Sequence, residues 1–115
     1  MKIEKATLPI PLNEANFDTE VLDTAVPVLV TYGAEDVAAC RPVDALCRGL
    51  AELFDGFVKV ARVDIETAPV LADRFDVDSL PSVLLFHRGR VVGRWVGVLP
   101  RLEIERAMSA RLPAA

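Results

Sequence analysis

Three short, β-rich apolar runs decide what this chain can fold into. They are "VPVLVTYG" (26–33), "FVKVARVDI" (57–65) and "SVLLFH" (82–87). The first and third are apolar at nearly every position rather than at alternate ones. A strand of that kind must be covered on both faces. The segments between the runs have the composition to do the covering. "PVDALCRGLAELF" (42–54) carries Val43, Leu46, Cys47, Leu50 and Phe54 at i, i+3, i+4, i+7 spacing, the stripe of an amphipathic helix, and Asp55-Gly56 ends it. "TAPVLADRF" (67–75) is a second helix with Pro69 in its first turn, and "PRLEIERAMSARL" (100–112) closes the chain with Pro100 near its start. "ANFDTEVLDT" (15–24) is a further helix. "PIPL" (9–12) is an edge strand, because proline lacks the amide that an inner strand must donate. After 82–87, the turn "RGR" and "VVGRWVG" (91–97) complete a hairpin. The order β-α-β-α-β-α-β-β-α predicts an α/β fold: a parallel core with right-handed crossovers, a C-terminal antiparallel hairpin, and helices on both faces of the sheet.

Composition narrows the function. At 115 residues the chain reads as one domain, residues 1–115, long enough to bury a core unaided. A net charge of −4 with no basic run excludes a nucleic-acid partner, which needs a basic patch for the phosphates. No apolar run approaches the roughly 18 residues of a membrane span. The N-terminus "MKIEKATLPIPLNE" lacks the apolar stretch of a secretory signal, so the expected address is the cytoplasm. The expected partner is therefore neither nucleic acid nor membrane. Two cysteines fit a reducing compartment, and with a single histidine they are too few to hold a structural zinc ion; no metal or cofactor is expected. The terminal "LPAA" is expected to fray.

The two thiols raise the functional question. Cys40 ends "AEDVAAC" (34–40), and Cys47 lies on the apolar stripe of the helix that follows. Seven residues of helix separate them by about 10 Å of rise. A disulfide needs Cα atoms within about 7 Å, so the pair does not close while the helix is intact. Pro42 allows the helix to begin at itself, leaving Cys40 in the preceding turn. Cys47 reads as a small core residue. Cys40 reads either as another core residue or as a lone reactive thiol. Glu35 and Asp36 place anions beside it and so disfavour the thiolate, and Asp36 is also a candidate N-cap for the helix. Trp95 on the outer strand either packs under a helix or marks a contact with a partner, and His87 is a turn residue with no nucleophile placed beside it.

"FDTEVL" (17–22), "VPVLVTYGAE" (26–35), "FVKVARVDIE" (57–66), "LADRFDVDSLPSVLLFHRGRVVGRWVG" (71–97) and the last helix together resemble the thioredoxin family in order and spacing, over about residues 8–112. The most specific pieces are "SLPS" (79–82), similar to the family's cis-proline loop, and "LLFHRG" (84–89), similar to its strand and hairpin turn. The resemblance implies a thioredoxin fold with a central mixed five-stranded sheet. It also aligns the family's W-C-x-x-C motif with Asp36, Val37, Ala38, Ala39 and Cys40, so only the second cysteine is kept. Disulfide reduction in that family begins when an exposed thiolate at a helix N-terminus attacks a sulfur, and a second cysteine resolves the mixed disulfide. Val37 has no sulfur. The family's buried acid falls on Thr31, its basic neighbour on Arg62, and its two tryptophans on Gly33 and Asp36. The pattern argues against conventional protein-disulfide reductase chemistry.

What the resemblance leaves intact is a groove formed by Asp36, Val37, Ala38, Ala39 and Cys40 with Leu80, Pro81, Val96 and Gly97. In the family the backbone before the proline pairs with extended peptide, and main-chain pairing needs no cysteine. Three readings follow. The first is a thioredoxin-like binding module or chaperone-like protein for a client protein or extended peptide. The second is a monothiol redox protein using Cys40, with a role in redox homeostasis. The third is a subunit that contributes surface through the 91–97 edge. Pro81 either supports peptide binding or only shapes the fold. The sequence names neither the client nor an oligomeric state.

Overall fold

The computed structural model describes residues 8–97 and 99–113. The expectations about the first seven residues and about fraying at Ala114 and Ala115 lie outside the described residues. Five strands form one sheet: β1 (Ile10–Pro11), β2 (Val28–Gly33), β3 (Lys59–Asp64), β4 (Ser82–His87) and β5 (Arg90–Val96), in spatial order β1-β3-β2-β4-β5. β1, β3 and β2 are parallel, while β4 runs antiparallel to both β2 and β5. Among the described residues the α-helices are α1 (Cys40–Leu53), α2 (Pro69–Asp73) and α3 (Arg101–Ser109). This is the α/β thioredoxin fold expected from the sequence, with its parallel core and C-terminal antiparallel hairpin.

Strand alternation sorts the apolar residues into two cores. Val28, Val30 and Tyr32 of β2 face one side with Ala61, Val63, Leu84 and Phe86, under Phe17, Val21 and Leu71. Leu29 faces the other side with Val60, Val83 and Leu85, under Val43, Cys47 and Leu50 of α1 and Ile104 and Met108 of α3. β2 is buried from Val28 to Tyr32, which accounts for its unbroken apolar run.

α2 and α3 are shorter than the 67–75 and 100–112 read from the sequence, and three further features differ. The helix predicted over 15–24 is a single π-helical turn, Asp18–Leu22, whose Asp23 amide donates to the Asp18 carbonyl. The turn presents Val21 to the core, and the segment is held by Phe17. That ring lies 5.4 Å from Phe75 and 5.9 Å from Phe86, the latter edge-to-face. Arg74 stacks over Phe17 and Phe75 and reaches the Asp18 carboxylate at 2.8 Å. The second difference is at α1, which begins at Cys40 and not at Pro42. Pro42 sits in the first turn, where a missing amide breaks no helical bond. Third, the N-cap position is Ala39, with no side-chain cap, so Asp36 does not cap the helix. Trp95 lies on the edge strand with its ring across Gly93 and packs against the α1/α3 core.

The aromatic anchor has a measurable weight. Phe17→Ala removes a fully buried ring and is expected to lower the unfolding free energy by about 3–5 kcal/mol in urea titrations. Arg74→Ala, whose ion pair is partly exposed, is expected to lower it by only about 1 kcal/mol.

Candidate functional site

The chain leaves β2 at Gly33 and enters α1 at Cys40 through a tight connection. The Val37 amide donates to the Ala34 carbonyl, the Cys40 amide to Val37 and the Arg41 amide to Ala38, at 3.0–3.2 Å. These short-range bonds hold Val37 half-buried at the surface, three residues before the helix, with Asp36, Ala38 and Ala39 exposed around it. Cys40 is turned inward and is 3% exposed. Gly33 explains how close it comes: a Cβ on Gly33 would lie 3.3 Å from the Cys40 Sγ, tighter than ordinary packing. Strand end and helix start therefore meet through a glycine and a thiol.

The second part of the site comes from the loop before β4. The Leu80–Pro81 peptide bond is cis. The Gly97 amide donates to the Pro81 carbonyl at 2.9 Å, and the Ser82 hydroxyl donates to the Ser79 carbonyl at 2.6 Å. These bonds tie the loop to the end of β5, where Gly97 takes a left-handed φ of +80° that a side chain would strain. Leu80 is half-buried, and its amide and carbonyl take no part in the sheet pairings. Val96 beside it is 53% exposed.

Charge around the motif is acidic. Glu66, which the sequence reading did not single out, has its carboxyl pKa raised. The causes, in order of size, are a hydrogen bond with Asp36, the charge of Asp36, partial desolvation, and the charges of Asp64 and Glu35. Asp36 and Glu66 are thirty residues apart in the chain and have no shared pattern. Only the parallel pairing of β2 with β3 brings their loops together at one end of the sheet.

Cys40 and Cys47 are both free and buried. Cys47 is 1% exposed, and its thiol pKa is pushed up to about 12, mainly by burial and then by the charge of Asp44, with the Thr31 hydroxyl opposing. A thiol held protonated in this way is inert toward disulfides at neutral pH. Thr31 and Arg62, the positions the resemblance gives to the buried acid and its basic neighbour, are paired in register across β2 and β3 on the α1 side of the sheet. On the opposite face, the buried Tyr32 hydroxyl has no hydrogen-bond partner among the described residues. Desolvation raises its pKa, against the charges of Arg94 and Arg74. His87 ends β4, and its pKa is lowered by desolvation and by Arg88 and Arg111. Among the described residues no group of three or more His, Cys, Asp or Glu side chains is placed to hold a metal ion, and no helix is long and apolar enough to cross a membrane.

The comparisons agree with this geometry. The family model described as Thioredoxin matches residues 9–110. The chain is 30% identical to Thioredoxin 1 of Nostoc sp. over 101 residues, covering 88% of this chain and 94% of that one. It is 32% identical to Thioredoxin C-2 of Corynebacterium nephridii over 91 residues, covering 79% and 84%. It is 29% identical to the Thioredoxin of Haemophilus influenzae over 93 residues, covering 81% and 87%.

The Cys47 environment sets a pH dependence. Its folded-state pKa is about 12, against an ordinary value of 9.0. The native state therefore keeps a proton that the unfolded chain releases. The stability this contributes is complete below pH 9.0 and is lost as pH rises through about 12. Unfolding free energy measured from pH 8 to 11 is expected to fall less steeply in Cys47→Ala than in the native chain. Parallel slopes would mean that Cys47 ionises as easily folded as unfolded.

Proposed function

The chain belongs to the thioredoxin family, and on that premise we propose that it binds extended polypeptide at the cis-proline groove without running the family's two-cysteine cycle. The observation that carries this reading is the pairing of Val37 with Cys40. Val37 holds the surface position ahead of α1 and has no sulfur, while Cys40 is 3% exposed with its sulfur packed against Gly33. A mixed disulfide needs an accessible thiolate, and neither position offers one. The groove asks for less. The main chain at Leu80 is free of sheet pairing, and the exposed Val96 offers apolar contact alongside it. The two unpaired thiols favour a reducing, cytoplasmic setting.

The relatives are named thioredoxins, which supports a thiol role as the second reading, with Cys40 as a monothiol. Aggregation of a model client protein separates the two. Cys40→Ser is expected to suppress aggregation as well as the native chain does. Val96→Asp, which puts a carboxylate where apolar contact is proposed, is expected to weaken suppression about tenfold. Loss of all activity in Cys40→Ser would replace the binding reading with the monothiol one.

Restoring the missing nucleophile is a separate test. Val37→Cys is expected to gain measurable insulin disulfide reduction. The rate should stay well below that of a thioredoxin assayed alongside it, because Thr31, Gly33 and Asp36 also depart from the family pattern. A variant with no activity at all would mean that the scaffold around residue 37 no longer presents a thiolate.

A further inference from the structure

A second concave site lies away from the groove, on the other side of β2. It is a cavity of about 790 Å³ between β1, β3 and the outer flank of α1. That volume falls within the range of small-molecule sites. We propose that it binds a small zwitterion, a free dipeptide, with the ammonium toward the carboxyl ends of the strands and the carboxylate between Arg48 and Arg62.

The argument is electrostatic and geometric. β2 and β3 are parallel neighbours, so the helix that joins them runs antiparallel to both. On the helical wall Asp44 comes first and Arg48 follows one turn later, about 6 Å further from the carboxyl ends of the strands. On the strand wall Asp64 is at the carboxyl end, and Arg62 lies two residues back on the same face, about 6.6 Å in the same direction. Both walls are thus polarised alike: acidic at the carboxyl ends of the strands, basic one helical turn further in. Glu35 adds a third carboxylate to the acidic end. Among the described residues, none of these five side chains has an opposite charge within the 4.0 Å of an ion pair, and the Asp64 carboxylate accepts the Glu66 amide at 2.9 Å.

This arrangement selects one class of ligand. An anion meets the carboxylates at one end, and a simple cation meets the guanidinium groups at the other. Along the backbone the two ends are about 6–7 Å apart, and a zwitterion with its charges spaced on that scale satisfies both. Two extended residues span at most about 7 Å, whereas the amine and carboxyl carbon of a single amino acid are only about 2.5 Å apart. A dipeptide fits and a free amino acid falls short. Leu8, Pro9 and Pro11 supply apolar surface for its side chains, and Thr31 lines the floor.

The test is isothermal titration of the full chain with L-alanyl-L-alanine, its N-acetyl form and its C-terminal amide. Saturable binding of the free dipeptide is expected, weakened about tenfold by either block and about tenfold by Arg62→Gln. Arg62 is exposed, so its replacement leaves the fold in place, which circular dichroism checks. Amide chemical shifts on titration should move at residues 31, 48 and 62. No saturable binding, equal binding of free and blocked forms, or shifts confined to residues 80–97 would each overturn the proposal. The last outcome would place the peptide in the groove instead, so the two sites stand or fall separately.

Discussion

Burial of β2 on both faces is the constraint on which the rest of the structure depends. From Val28 to Tyr32 the strand has no solvent side. Its alternate residues must be covered by the π turn and α2 on one face and by α1 and α3 on the other. Once both faces are covered, the only exits for the chain are the two ends of the strand. The connection from β2 to α1 therefore emerges at the carboxyl end of the parallel strands, where an α/β sheet places its sites. The loop before β4 reaches the same region because β4 pairs antiparallel with β2, with Ser82 opposite Tyr32.

That geometry separates the loop proposed to bind from the side chains ahead of α1. The cis-proline loop is held by the Gly97 amide on the Pro81 carbonyl and by the Ser82 hydroxyl on the Ser79 carbonyl, neither of which involves a thiol. Val37 holds its place in the turn and carries no sulfur, and Thr31 holds its place in the strand and carries no carboxylate. Gly33 lets Cys40 pack against the strand end at a distance that would crowd a side chain there. The binding reading we propose rests on this separation of a backbone-held loop from the side chain at residue 37.

The departures from the sequence reading have local causes. The segment 15–24 carries helical periodicity, but only Val21 within its turn is buried there, and Phe17 anchors the segment from outside it. A short π turn is enough to place both residues. Asp36 has the chemistry of a cap, yet the helix begins four residues later, and the Asp36 carboxyl interacts with Glu66 instead. Glu66 carried no signal in the sequence, because its meeting with Asp36 depends on two loops from different strands.

What the sequence by itself determined is the layer order. Apolar runs require two covered faces, helical stripes supply the cover, and "AEDVAAC" and "SLPS" mark the two loops of the proposed groove. The absence of a sulfur at residue 37 is also a property of the sequence alone. The tertiary structure decided the accessibility and the pairing. Cys40 and Cys47 are both buried because α1 starts early enough to turn both toward the sheet. The acidic and basic ends of the cavity align because a helix joining parallel strands must run back against them. Periodicity records which face of an element is apolar. It does not record which charged residues of separate elements come to lie a few ångströms apart, since that distance is set by packing across the sheet.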